Sequence, residues 1–148
     1  MRNSRPVRTF RWMILVPVDG SSDALHALGY ACDFAKLLGT ELHVCHAASD
    51  APTKWMRDEG EAILANARAI ARRHDVTAHS HLLCGDPAKA ILRLARDARA
   101  DLLIMGTHGV TGLRATMLGS VAEAITRSSV LPVLLLRDPT YELNGGDE

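Results

Sequence analysis

Short apolar segments alternate with segments of helical periodicity, and this alternation constrains the fold of the chain more than any other feature. Residues 12–18, WMILVPV, are almost continuously apolar, which is typical of a strand buried on both faces. Apolar residues then recur at helical spacing as far as Leu38, and Gly39 marks a helix end. The pattern predicts strands at 12–18, 41–47, 77–84, 101–105 and 133–136, and helices at 22–38, 56–74, 87–99 and 120–128. Five strands separated by four helices predict a single-domain, doubly wound α/β fold with a parallel sheet and right-handed crossovers.

The balance of charge excludes one class of partner. The 148 residues suit one domain with a substantial core, and 17 Lys plus Arg face 17 Asp plus Glu, for a formal net charge of zero. No basic field is available to hold a nucleic acid through its phosphates. Aromatic residues make up only 4%, which argues against a base-stacking platform. We therefore expect no nucleic-acid partner.

The zero net charge conceals two oppositely charged tails. A basic tail (1–11) precedes a neutral domain (12–137), and an acidic tail (138–148) follows it. The tail charges are Arg2, Arg5, Arg8 and Arg11 at one end and Asp138, Glu142, Asp147 and Glu148 at the other. Any small anion must then be held mainly by backbone amides of the neutral domain.

Membrane insertion and export are not expected from this sequence. No apolar run approaches the roughly 18 residues that a membrane span needs. The run at 12–18 is short, contains Pro17 and ends at Asp19, unlike a signal peptide. Three cysteines without metal-type pair spacing suit a reduced protein better than a disulfide scaffold. We expect a soluble, cytoplasmic protein.

A glycine-punctuated loop after the fourth strand is the most informative segment. It runs from Met105 through Gly106, His108 and Gly109, and nine further residues lead to Gly119 and Ser120. Glycine allows the backbone to approach a ligand closely. The free amides and the dipole at the start of the following helix favour an anion. The loop therefore predicts a phosphate site.

In an open parallel sheet, ligands bind beyond the carboxyl ends of the strands where the strand order reverses. If the first and fourth strands are neighbours, the turn at Pro17, Val18 and Asp19 faces the glycine loop across that crevice. Asp19 could accept hydrogen bonds from ribose or adenine, and Val44 could line the base side. The alternative for Asp19 is that it only caps the first helix.

These residues resemble the universal stress protein family. Its nucleotide motif, Gly, two residues, Gly, nine residues, Gly and Ser or Thr, is complete here, and the resemblance runs from about residue 12 to 137. It includes Pro17–Val18–Asp19, the Gly85–Asp86–Pro87 turn and Pro132–Val133. The resemblance implies a flavodoxin-like sheet of order 3-2-1-4-5, a homodimer and ATP binding, with or without Mg²⁺.

The resemblance and the loop together give one set of candidate nucleotide ligands. Those expected at adenosine are Pro17, Val18, Asp19 and Val44, and those expected at the ribose and phosphates are Met105, Gly106, His108, Gly109, Gly119, Ser120 and Val121. His108 and Arg114 are the loop side chains that can offer positive charge, although each could equally be a solvated loop residue.

Other nucleotide-binding motifs do not match. A P-loop needs a Lys after its last glycine, and the chain has lysines only at 36, 54 and 89. A dinucleotide fingerprint needs glycines in the first strand-to-helix turn, where Gly20 stands alone.

No nucleophile with a matching base is evident, so we expect no catalytic residues and at most slow ATP hydrolysis. The leading hypothesis is a dimeric stress-response module that binds ATP. A partner-docking module, with an empty pocket or an AMP-type ligand, is the alternative, and an adenylate-transfer enzyme is a weaker third.

Histidine and cysteine patterns give two further expectations. His79 and His81 share one strand face, and His43 and His46 lie nearby in sequence. No Cys or carboxylate is spaced to complete a zinc site, so no metal site is predicted. Cys45 and Cys84 lie near strand ends and are expected to be small buried hydrophobes.

The last strand presents an apolar edge. Leu134, Leu135 and Leu136 would leave it exposed, which natural proteins rarely allow. Pairing of residues 133–136 with a second copy is the simplest cover, and burial under the polar C-terminal tail is the alternative.

Overall fold

The computed structural model describes residues 11–108 and 118–139. It contains five strands and four helices in strict alternation. These are β1 (Ile14–Pro17), α1 (Ser22–Leu38), β2 (Leu42–Ala48), α2 (Lys54–Arg73), β3 (Ala78–Cys84), α3 (Pro87–Asp97), β4 (Leu102–Gly106), α4 (Ser120–Ser128) and β5 (Val133–Leu136). The predicted boundaries agree to within a few residues, and α4 and β5 agree at both ends.

The strands form one parallel sheet in the order β3-β2-β1-β4-β5. Ile14 of β1 lies between Leu42 of β2 and Leu102 of β4, and Leu103 of β4 pairs with Val133 of β5. The predicted doubly wound fold and its strand order are confirmed. Because the order reverses between β1 and β4, their carboxyl ends open a crevice there.

Two apolar cores lie on opposite faces of the sheet, as the alternation of side chains along each strand requires. One core packs α1 and α2 against Ile14, Val16 and Val44. The other packs α3 and α4 against Leu15, Cys45 and Leu103. The central strands β1 and β4 are therefore buried on both faces, which explains their continuous apolar sequence.

Side-chain caps begin three of the helices. Ser21, Thr53 and Asp86 accept the amides of Ala24, Met56 and Lys89 at 3.1 to 3.2 Å. At the other end of α1, Gly39 adopts the left-handed conformation, with φ of 61°, and its amide bonds back to Ala35 and Lys36. Across the described ranges, no helix is long and apolar enough to cross a membrane.

Candidate functional site

A cavity of about 280 Å³ opens where the carboxyl ends of β1 and β4 meet the start of α4. Nine of the eleven candidate residues line it. They are Pro17, Val18, Asp19, Met105, Gly106, His108, Gly119, Ser120 and Val121. The structure thus brings the turn after β1 and the two ends of the glycine loop to one crevice, as the strand order requires.

Two candidate residues are not placed at this cavity. Val44 has no exposed surface and packs in the core beneath α1 and α2. The next residues along β2, Cys45 to Ala47, line the cavity instead, because the strand continues past Val44 to the mouth of the crevice. Gly109 lies outside the described residues, as does Arg114.

The cavity is also lined by residues that were not among the candidate nucleotide ligands. They are Ala24, Cys45, His46, Ala47, Pro87, Ile91, Thr107 and Ala122. Pro87 and Ile91 come from α3, which begins directly after β3 at the same edge of the sheet. That position could have been expected, because in a parallel sheet every following helix starts at the carboxyl edge.

Asp19 does not cap α1. Its Oδ1 accepts the amide of Ser21 at 2.9 Å, which closes the turn after β1, whereas the capping oxygen belongs to Ser21. Gly20, between them, has φ of 85°, a conformation that suits glycine in this tight turn. The Asp19 carboxylate is thereby held at the rim of the cavity.

A buried carboxylate, Asp23, anchors the glycine loop from beneath. Only 4% of Asp23 is exposed. Its Oδ2 accepts the Thr107 hydroxyl at 3.0 Å, the His108 amide at 3.1 Å and His108 Nδ1 at 2.9 Å. Its Oδ1 accepts the amide of Asp138 at 2.7 Å. One side chain in the first turn of α1 therefore joins the segments that follow β4 and β5.

The charged form of Asp23 is favoured in spite of burial. Burial alone raises the pKa of this carboxyl, but hydrogen bonds from Asp138, His108 and Thr107, together with the charge of His108, outweigh it and lower the pKa below its ordinary value of 3.8. The ionised carboxylate also lies near the amino end of α1, where the helix dipole favours negative charge. Nothing in the sequence pattern marked Asp23, since an acid in a first helical turn is usually solvated.

His108 is held in a defined orientation by this carboxylate. Its side chain is only 8% exposed, and Nδ1 lies within hydrogen-bond distance of both Asp23 and the Thr107 hydroxyl. A carboxylate on one ring nitrogen fixes the proton there and sets the role of the other nitrogen. His108 also lines the cavity, so its ring is held in a fixed position at the wall of the crevice.

Gly106 is required by packing of the protein against itself. A Cβ at this position would lie 2.8 Å from the carbonyl carbon and Cβ of Asp23 and 2.9 Å from the amide nitrogen of Ala24. The first turn of α1 therefore lies directly against β4. From the sequence, this glycine was expected to allow close approach of a ligand, whereas the structure shows close approach of a helix.

The amino end of α4 differs from those of the other three helices. Gly119 is its N-cap and offers no side-chain hydrogen bond, and its own amide donates to the Thr107 carbonyl at 2.7 Å. The Glu123 amide donates a hydrogen bond to the Gly119 carbonyl at 2.9 Å, which is the first helical backbone hydrogen bond of α4. The amides of Ser120, Val121 and Ala122 therefore come before the first hydrogen bond of the helix and have no acceptor within it. All three residues line the cavity.

The cysteines differ in exposure. Cys32 and Cys45 are buried, and burial raises the pKa of their thiols to about 11 and about 12, so neither is a reactive thiolate. Cys84 is exposed, which corrects the expectation that it is buried. It ends β3, an edge strand whose last residue is not covered by a neighbouring helix.

Comparison with known proteins agrees with this architecture. Residues 13–137 match the model of the universal stress protein family. The chain belongs to this family. A universal stress protein of Methanocaldococcus jannaschii is 32% identical over 142 residues, covering 87% of this chain and 84% of the relative.

Solved members of the family share the fold. A universal stress protein from Archaeoglobus fulgidus, in complex with dAMP, superimposes with a TM-score of 0.73 at 25% identity, covering 84% of this chain and 97% of the other. A universal stress protein in complex with cAMP gives a TM-score of 0.71 at 28% identity, covering 84% and 96%. Nucleotide ligands are thus present in two structural relatives.

Proposed function

We propose that this universal stress protein binds ATP, with Mg²⁺, in the crevice between β1 and β4 and serves as a dimeric regulatory module in the cytoplasm. The observation that carries the proposal is the start of α4. The residues that carry its first amides line a cavity at the switch point of the sheet, and no side-chain cap hydrogen bond is made to α4 within the described part of the chain. Phosphate oxygens are the natural acceptors for such amides.

The phosphate end would be assembled mainly from the backbone. Ser120 and Val121 offer amides, and the dipole of α4 adds a partial positive charge. His108, fixed by Asp23 at 2.9 Å, adds one side chain that can donate a hydrogen bond or carry positive charge. Gly109 remains part of the proposal as the second glycine of the motif. This arrangement suits a neutral domain with no surplus of cations.

The adenosine end would lie across the cavity, at the turn after β1. Asp19 presents a carboxylate that can accept hydrogen bonds from ribose hydroxyls, and Pro17 and Val18 supply backbone and apolar contacts. On the β2 side, Cys45 to Ala47 take the place that the sequence analysis gave to Val44. His46 Nδ1 donates to the Val18 carbonyl at 2.8 Å, which joins the β1 and β2 sides of this wall.

Magnesium would enter as part of the nucleotide complex. Mg²⁺ keeps several waters and is usually held by phosphates with one or two carboxylates. Asp19 is a cavity-lining carboxylate, and it already accepts the Ser21 amide on one oxygen. The Thr107 hydroxyl, which lines the cavity beside His108, donates to the buried Asp23 carboxylate, and this structural role supports binding with at most slow hydrolysis.

A second candidate ligand is an adenosine monophosphate. The relatives described above were solved with dAMP and cAMP, each of which has a single phosphate. A module that docks a partner and holds an AMP-type ligand would use the same crevice. The two functions differ in whether affinity increases with the number of phosphates.

Titration calorimetry of nucleotide-free protein with Mg-ATP, AMP and Mg-GTP distinguishes these functions. We expect one site per chain, tighter for Mg-ATP than for AMP, and weaker for Mg-GTP. Gly119→Leu should weaken Mg-ATP binding at least about tenfold by covering the α4 amides. Gly29→Leu is the matched control, because a Cβ at Gly29 meets no atom within 4 Å. Equal weakening in both variants, or none in Gly119→Leu, would refute the assignment.

A further inference from the structure

Three histidines and a glutamate lie side by side on the β2–β3 edge of the sheet, and none of them lines the nucleotide crevice. His43 on β2 is in register with His79 on β3, and Cys45 is in register with His81. Because side chains alternate along a strand, His43, His79 and His81 share one face. Glu41 precedes β2 and contacts His79.

The ring nitrogens in this histidine cluster approach each other closely. His43 Nδ1 lies 3.0 Å from His81 Nε2, and the two rings are stacked at 22° with centroids 5.3 Å apart. The centroids of His43 and His79 are 5.0 Å apart. On the outer side, His79 Nε2 lies 2.5 Å from Glu41 Oε2.

These contacts fix where lone pairs are available. In the His43–His81 pair, one nitrogen holds the proton and the other accepts it, so at least one accepting ring nitrogen carries a lone pair. A proton on His79 Nε2, shared with Glu41, leaves Nδ1 of the neutral ring as its lone-pair nitrogen. A carboxylate that accepts the second ring N–H is the usual partner of a metal-bound histidine.

We propose that His43, His79 and His81 form a surface site for a borderline divalent transition-metal ion such as Zn²⁺, with Glu41 orienting His79. Two nitrogens in a tetrahedral zinc site, each about 2.05 Å from the metal, are about 3.3 Å apart. His43 Nδ1 and His81 Nε2 already lie 3.0 Å apart, so a small separation of the rings admits the ion once the proton between these two nitrogens moves to the other nitrogen of its own ring.

His79 must rotate to complete the site. Within the described ranges, no three His, Cys, Asp or Glu side chains already surround a common point as metal ligands do. The side chains of His79 and Glu41 are 49% and 56% exposed, so both can turn without disturbing the core. No metal site was predicted from the sequence, because no Cys or carboxylate is spaced to complete the ligand set of a zinc site. The packing of β3 beside β2 instead brings the three histidines together and places the Glu41 carboxylate on His79 as an outer partner.

The ligand chemistry separates this site from the nucleotide crevice. Imidazole suits Zn²⁺, Cu²⁺ and Ni²⁺, whereas Mg²⁺ prefers oxygen ligands and water. The histidine cluster would thus take a metal that the Mg-ATP site does not use. Cys84, the exposed thiol of β3, lies an odd number of residues from His79 and His81 and faces the other side of the strand.

Calorimetric titration of the full, tag-free, chelator-treated chain with zinc chloride tests the proposal. We expect one Zn²⁺ per chain, and His79→Gln and His81→Gln should each weaken binding at least about tenfold. Glu41→Gln should weaken it by about 10- to 100-fold, as loss of an outer carboxylate partner does. His74→Gln and Cys84→Ser, which leave the cluster intact, should bind as the unmodified chain does.

His79→Gln keeps the test valid if His81→Gln unfolds, because His79 is half exposed. Thermal unfolding followed by circular dichroism verifies the fold of each variant. Zinc affinity that is unchanged in His79→Gln, or that falls as much in Cys84→Ser, would overturn the proposal. So would the absence of any zinc binding by the unmodified chain.

Discussion

At the residue scale, the Asp23 carboxylate is the least expected feature of the molecule. It receives four hydrogen bonds from Thr107, His108 and Asp138. The first two residues follow β4, and Asp138 follows β5. Buried carboxylates are tolerated only when they are paired and fully hydrogen-bonded. Asp23 meets that condition, and in doing so it connects the glycine loop with the chain after β5.

Asp23→Asn should destabilise the fold by about 2–4 kcal/mol, because the amide nitrogen would face donors and several charge-assisted hydrogen bonds would be lost. Urea unfolding at pH 7 measures this change. Asp33→Asn is the matched control, since Asp33 is exposed on the same helix and should change stability by less than about 0.5 kcal/mol. Equal stabilities of the two variants would show that the Asp23 contacts contribute little.

The stabilisation by Asp23 should disappear in acid. The folded-state pKa lies below the ordinary value of 3.8, so the unfolded chain binds more protons near that pH. The contribution is complete above the unfolded pKa and is lost as pH falls through the folded pKa. The difference in unfolding free energy between the unmodified chain and Asp23→Asn should be constant from pH 7 to about 5 and shrink below about pH 4. A difference that grew towards low pH would contradict this assignment.

At the scale of elements, the closeness of α1 to β4 depends on Gly106. Gly106→Ala should cost about 1–3 kcal/mol, because the new Cβ would overlap the backbone of the first turn of α1. Gly29→Ala, within the same helix and at a position where a new Cβ meets no atom within 4 Å, should instead stabilise by about 0.5–1 kcal/mol. Thermal and urea unfolding of both variants measure these changes. A neutral Gly106→Ala would mean that α1 and β4 can separate without cost.

The elements were predictable from the sequence because their signals are local. Continuous apolar runs marked the central strands, and Gly39 marked a helix end through capping chemistry that needs no tertiary contact. The strand order followed from the family resemblance and was confirmed by the observed pairing.

The candidate site was predictable only in part, because several of its features depend on tertiary packing. Val44 and Cys45 are adjacent, and only the three-dimensional path of β2 decides which of them lies at the crevice. Asp23 and Glu41 acquire partners at sequence separations of 38 residues or more, which no local pattern reports.

At the scale of the whole molecule, β5 is an edge strand whose side chains pack against the two apolar cores of the same chain. Leu134 and Leu136 pack on one core, and Val133 and Leu135 pack on the other. Pro132 and Leu136 direct their carbonyls to β4 at 3.0 Å, so alternation directs the amides of Val133 and Leu135 to the open edge. The predicted dimer would therefore form through the backbone of β5.

Leu135→Pro should weaken such a dimer at least about fivefold, because each copy loses one outward amide donor. Leu135→Ala is the matched control, since it shortens the side chain and keeps the amide. Sedimentation equilibrium of both variants measures the dissociation constant. A monomeric unmodified chain, or equal dissociation constants for the two variants, would contradict pairing through β5.

The central claim is that a nucleotide phosphate binds the first amides of α4. Titration of ¹⁵N-labelled, nucleotide-free protein with Mg-ATP, followed by amide NMR, tests it most directly. We expect saturable shifts at Ser120, Val121 and Asp19, with Leu37, exposed on α1, unchanged. No saturable shift at millimolar Mg-ATP, or shifts that leave the start of α4 unaffected, would contradict the claim.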